Sequence, residues 1–86
     1  MIIAWGMEAW ADYTTWQQED KKTVRRINML IKDIVRNGYQ GVGKPEPLRH
    51  MDGGWWSRRI DKKNRLVYRL VEERLEIIQC KEHYTD

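Results

Sequence analysis

Two runs near the C-terminal end limit what this chain can become. Trp55-Trp56-Ser57-Arg58-Arg59-Ile60 leads into the polar stretch Asp61-Lys62-Lys63-Asn64, and Arg65-Leu66-Val67-Tyr68-Arg69-Leu70-Val71 returns. Both arms are rich in aromatic and β-branched residues and alternate in character, the pattern of two strands joined by a turn. In the returning arm Leu66, Tyr68 and Leu70 share one face, and Arg65, Val67, Arg69 and Val71 share the other. Ser57 and Arg59 lie together on one face of the first arm. Paired, the two strands present several guanidiniums on one rigid surface, which suits a polyanion.

The remainder of the chain must supply the layer that covers the apolar face. Residues 2–5 read as a short apolar strand. A helix is predicted from Met7 to about Gln18, with Ala9, Trp10, Tyr13 and Trp16 at helical spacing on its apolar side. Asp20 is placed to cap a second helix, Lys21 to about Asn37, on which Val24, Ile27, Leu30, Ile31, Ile34 and Val35 form a stripe. Asn37-Gly38 ends it, with Gly38 as the left-handed cap residue. The helices are too close in sequence to do anything but form a hairpin laid on a sheet. Leu48-Arg49-His50-Met51 is expected to enter a strand, Asp52-Gly53-Gly54 to turn, and Leu75 to Lys81 to form a further strand. The order is β-α-α-β-β-β with room for one more strand. It describes an α+β fold with a mainly antiparallel sheet, in a single domain spanning 1–86.

Charge is unevenly spread. Residues 1–20 carry four acids and no base, residues 21–69 carry fourteen Lys or Arg against four acids, and residues 70–86 are again acidic. A basic middle of this kind is the electrostatic footprint expected for a phosphate backbone. No apolar run approaches the roughly 20 residues of a membrane span, and the first residues lack the basic start of a signal peptide. One cysteine, Cys80, allows no internal disulfide, which favours a reducing compartment and a cytosolic protein.

The residues available for chemistry are few. One Cys and two His are too far apart for a closed metal site, so neither metal nor cofactor is expected. Gly41-Val42-Gly43-Lys44 lacks the following helix of a phosphate loop. What remains is acid–base chemistry on a basic surface, with Glu46, Arg65, His83 and Tyr84 as candidates. Pro45 and Pro47 bracket Glu46 and stiffen its backbone. A carboxylate, an arginine and a histidine suffice to cleave RNA without a metal: a base for the ribose 2′-OH, a cation for the phosphate and an acid for the departing 5′-oxygen. Trp55 and Trp56 leave open a different reading, a basic domain that stacks RNA bases without cutting.

Several runs together resemble the YoeB/Txe family of bacterial toxins: Gly43-Lys44-Pro45-Glu46-Pro47-Leu48, Trp56-Ser57-Arg58-Arg59-Ile60, Arg65-Leu66-Val67-Tyr68 and the ending His83-Tyr84. Trp5, Trp10, Asp12, Tyr13, Trp16 and Gln17, and the run from Ile27 to Asp33, also fit. The resemblance implies a RelE-like fold, two helices on a twisted antiparallel sheet, and a toxin that cuts mRNA in the ribosomal A site. Glu46 would be the general base, His83 the general acid and Arg65 the stabiliser of the transition state. Tyr84 would position substrate, and Lys44, Arg49 and Arg59 would contact RNA. The product would carry a 2′,3′-cyclic phosphate. The implied partners are mRNA on the 30S subunit, a YefM-type antitoxin and a second copy of the toxin, all in the bacterial cytoplasm. A toxin of the same fold that poisons its target without cutting RNA, in the manner of ParE on gyrase, would not need all three groups. The chain departs from the family pattern at Arg49, where Lys is more usual, at Asn64, where His often stands, at Asp52-Gly53-Gly54, and in the extension Thr85-Asp86.

Overall fold

The computed structural model describes residues 1–82. In chain order it contains strand β1 (Ile2–Trp5), helices α1 (Met7–Glu19) and α2 (Lys21–Asn37), and strands β2 (Glu46–Pro47), β3 (Trp56–Arg59), β4 (Arg65–Val71) and β5 (Arg74–Gln79). The strands form one sheet in the order β1-β5-β4-β3-β2, antiparallel throughout except where β1 runs parallel to β5. The expected α+β architecture and the order β-α-α-β-β-β-β are both present. None of the described helices is long and apolar enough to cross a membrane.

Asp20 alone separates the helices. Its backbone N–H closes α1 on the Trp16 carbonyl, and its carboxylate accepts from the Lys22 and Thr23 amides at 3.0 and 3.3 Å. Two helix ends are thus satisfied by one residue, which forces the hairpin. Ile27, Leu30, Ile31 and Ile34 of α2 and Ala9 and Trp16 of α1 bury against Leu66, Tyr68, Leu75 and Ile77 of the sheet. The stripes are narrower than the sequence suggested. Val35 is 46% exposed and Trp10 is 48% exposed, because both lie where the helices overhang the edge strand β1. Trp10 instead leans edge-on to Trp5.

Arg58 joins the two layers. Its side chain is fully buried on the helix-facing side of β3, and all its donors are used. Nε donates to the Tyr68 hydroxyl, Nη1 to Asp33 of α2 and to the Val42 carbonyl, and Nη2 to the carbonyls of Gly38 and Gln40 at 2.9 and 2.8 Å. The loop after α2 is therefore wound around one guanidinium. Gly41 has φ +131°, and a Cβ there would sit 2.0 Å from the Asp33 carboxylate, so the loop requires glycine at this point.

The loop hands the chain to β2, where Glu46 pairs with Ser57 and Pro47 with Trp56. Arg59 N–H bonds the Gly43 carbonyl at 2.7 Å, and Leu48 N–H bonds the Trp55 carbonyl at 2.9 Å. The expected strand at Leu48–Met51 is not there. The strand is Glu46–Pro47, and the Met51 amide folds back on the Leu48 carbonyl to begin a turn. Gly53 and Gly54, at φ +111° and +75°, complete the reversal and leave no length for pairing. Pro45 and Pro47 suit an outermost strand, which needs no donors on its free side.

Replacing Arg58 with Met should cost about 3–5 kcal/mol of stability, because the Asp33 carboxylate loses its counter-charge and the carbonyls of Gly38, Gln40 and Val42 lose a donor; urea unfolding of the two proteins measures it. The hydrogen bond from Arg58 holds the Asp33 carboxyl below its ordinary value, with Val42 N–H and Asn37 assisting against the cost of desolvation. A carboxyl depressed in the folded state contributes stability above its unfolded value and loses it as pH falls towards the folded one. Stability should therefore decline below about pH 4, and Asp33→Asn should flatten that acid limb in pH-dependent melting curves.

Candidate active site

The face of the sheet away from the helices carries Glu46, Arg59 and Arg65. The ladder places Glu46 opposite Ser57, Ser57 opposite Val67, and Val67 opposite Gln79, a row across four strands. The last step depends on an irregularity. Tyr68 pairs with Ile77 but Val67 pairs with Gln79, so β5 holds one extra residue, Ile78. The bulge turns both Ile78 and Gln79 to the open face and returns Cys80 to the core. Burial there pushes the Cys80 thiol up to about 12, with the Asp12 carboxylate adding to the effect. A structural thiol is the result, not a nucleophile.

Above this row lies an open cleft of about 370 Å³ with Glu46 and Arg65 on its wall and His50, Lys63, Gln79 and Glu82 around them. Arg65 begins β4, two residues before Val67 and so on the same face. Its Nη1 donates to Glu46 Oε1 at 3.0 Å and to Ser57 Oγ at 3.1 Å. The Glu46 side chain is 55% exposed and that of Arg65 38%. An ion pair this wet contributes little to stability; what it sets up is a carboxylate and a guanidinium held side by side where solvent reaches both.

Arg59 stands directly opposite Arg65 in the β3–β4 ladder, on the same open face. Like charges on opposed positions destabilise a sheet, so an anion laid over this face relieves a repulsion built into it. Arg59 does not itself line the cleft; the Arg26 guanidinium of α2 donates to its carbonyl at 2.9 Å, which links the end of β3 to the basic helix. Lys44 and Arg49 flank the Glu46 strand and are exposed, but neither lines the cleft. Lys44 adopts φ +51° between Gly43 and Pro45.

His83 and Tyr84 lie outside the described residues. The described chain runs up to the cleft: Glu82 is in its wall, and the Glu82 amide donates to Asn64 Oδ1 at 2.8 Å. Asn64 closes the β3–β4 turn by donating to Asp61, so the turn before Arg65 also holds residue 82 beside it. Three contributors escaped the sequence reading. Ser57 was visible as a face-mate of Arg59, but not as a ligand of Arg65. His50 was hidden by the strand expected around it. Gln79 reaches the cleft only through the bulge, for which the sequence gives no signal. Among the described residues no three His, Cys, Asp or Glu side chains gather in a metal-binding group.

Comparison with known proteins shows the family. Residues 5–84 match the family described as YoeB-like toxins of bacterial type II toxin–antitoxin systems. Toxin YoeB of Escherichia coli strain K12 is 49% identical over 84 residues, covering 98% of this chain and all of that protein. The fold matches a toxin in the heterotetrameric YoeB–YefM complex of Staphylococcus aureus with TM-score 0.92 at 45% identity, and the YoeB dimer of the same organism with TM-score 0.89 at 43% identity, each covering 98% of both chains. The chain belongs to the family of YoeB-like toxins of bacterial type II toxin–antitoxin systems.

Proposed function

We propose that this toxin is an endoribonuclease that cuts mRNA in the A site of the translating ribosome and so stops protein synthesis. The observation that carries the reading is the Glu46–Arg65 pair, a carboxylate and a guanidinium 3.0 Å apart in an exposed cleft on a basic sheet face. Glu46 takes the proton from a ribose 2′-OH, and the freed oxygen attacks the adjacent phosphorus. Arg65 balances the negative charge that builds on the phosphate oxygens. His83 gives a proton to the departing 5′-oxygen, and Tyr84 positions the substrate. The products are a 2′,3′-cyclic phosphate and a 5′-hydroxyl. Lys44, Arg49 and Arg59 hold flanking phosphates, as the crowding of positive charge around the cleft favours.

The natural inhibitor on this reading is a YefM-type antitoxin. The YoeB–YefM complex of the Staphylococcus aureus relative supports it, as that relative's dimer supports self-association. The setting is the bacterial cytoplasm, where ribosomes and antitoxin meet. The exposed cations of α2, Lys21, Lys22, Arg25, Lys32 and Arg36, serve as the docking face for ribosomal RNA.

Primer extension on a defined mRNA in a reconstituted translation system tests the chemistry. Cuts near the A-site codon should need ribosomes, and Glu46→Ala, Arg65→Ala and His83→Ala should each lower the cutting rate by at least about 100-fold, in the range seen for loss of a general acid or base, while the proteins stay folded. Growth arrest without any cutting would instead favour a toxin that binds its target unbroken. Ribosome association should also weaken steeply with salt, and Lys32→Ala or Arg36→Ala should each reduce the slope of log affinity against log salt by about 0.7–0.9. A flat salt response measured by sedimentation would remove α2 from the docking face.

A further inference from the structure

We infer that Ser57 is a positioning residue for Arg65, one that keeps the guanidinium aimed at the scissile phosphate throughout the reaction. The inference rests on the proposed RNA cleavage for its purpose, but its geometry stands independently.

Arg65 has five N–H bonds to place. Both hydrogens of Nη1 are taken, one by Glu46 Oε1 at 3.0 Å and one by Ser57 Oγ at 3.1 Å. Nε and Nη2 make no hydrogen bond to any other described residue. The two acceptors therefore pin one corner of a planar group, and the edge formed by Nε and Nη2 has no partner among the described residues. That edge carries two parallel N–H bonds, the geometry that matches two oxygens of a phosphate.

The two acceptors differ in what they can withstand. Glu46 is exposed and, as a general base, becomes neutral when it accepts the 2′-OH proton. At that moment its pull on Arg65 falls, just as the phosphate needs the cation most. Ser57 is fully buried, between Glu46 on β2 and Val67 on β4 in the ladder. A hydroxyl does not change charge during the cycle, and this one sits on a strand fixed on its other face by Arg58. It is small enough for the Arg65 side chain to lie across it towards Glu46. Alanine would leave that space and remove the acceptor, freeing Arg65 to rotate about its own axis when Glu46 is protonated.

The test has two arms. In the first, nitrogen-15 NMR of the Arg65 guanidinium in the free toxin should show slowed rotation about the Cζ–Nη1 bond in wild type and faster rotation in Ser57→Ala. This arm needs no RNA, so it judges the arrangement even if the chain cuts nothing. An Arg65 that rotates freely in wild type, or one unchanged in Ser57→Ala, overturns the inference. In the second, cleavage of mRNA on programmed ribosomes by Ser57→Ala should fall about 10- to 100-fold in kcat, as for a small misplacement of a catalytic group, with KM within about twofold. Ser57→Thr, which keeps the hydroxyl, should recover most of the loss. Ser57→Ala cutting at the wild-type rate, or losing only thermal stability with the Arg65 signal unmoved, overturns it as well.

Discussion

A single buried guanidinium organises this molecule. Charge is costly to enclose unless every donor is met and a counter-charge is at hand. Arg58 satisfies both conditions with Asp33, Tyr68 and three carbonyls of the loop after α2. Arg58 donates to all three carbonyls, which ties the path of the loop to it. That path ends at Gly43, whose carbonyl meets the Arg59 amide, and three residues later at Glu46 opposite Ser57. Helix, loop, β2 and β3 are thus tied together by hydrogen bonds. Glu46 stands between two prolines on a strand whose approach is fixed by a buried arginine, and on the reading proposed here that stiffness suits a general base.

Arg58 and Arg59 are neighbours of the same type with opposite fates. Strand alternation sends the first into the core and the second onto the open face with Arg65. The inner arginine spends its donors on the protein itself. The outer two oppose one another across the ladder; Glu46 pairs with Arg65, while no carboxylate among the described residues pairs with Arg59. A sheet surface with surplus positive charge, shallow relief and a carboxylate in its midst is a poor core and a good receiver of a phosphate chain. The same sheet therefore serves stability on one face and, on the reading proposed here, phosphodiester chemistry on the other.

Much of this was legible in the chain because it is local. Asp20 caps α2, and Gly38, with φ +69°, ends it, because capping is a matter of a few adjacent atoms. The β3–β4 hairpin follows from alternation and a polar turn, in which Asp61 accepts from the Lys63 and Asn64 amides. Residue types and family resemblance name Glu46 and Arg65 as members of one candidate site, but their ion pair, made across nineteen positions, is visible only in the fold. Less legible were features set by where layers end. Val35 and Trp10 continue the apolar stripes of their helices yet remain half-exposed, since a helix cannot know from its own sequence how far the sheet beneath it extends.

By itself, then, the sequence determined the two helices and their boundaries, the two-faced hairpin and the basic middle of the chain, all properties of short windows governed by backbone propensity and side-chain periodicity. Only the tertiary structure decided the rest: β1 alongside β5, a two-residue β2 in place of a longer strand at Leu48–Met51, the extra residue Ile78 that turns Gln79 into the cleft, and Ser57 beneath Arg65. Each of these depends on register between strands far apart in sequence. Register is set by which packing buries the core and satisfies the buried polar groups at once, a condition no short window of residues contains.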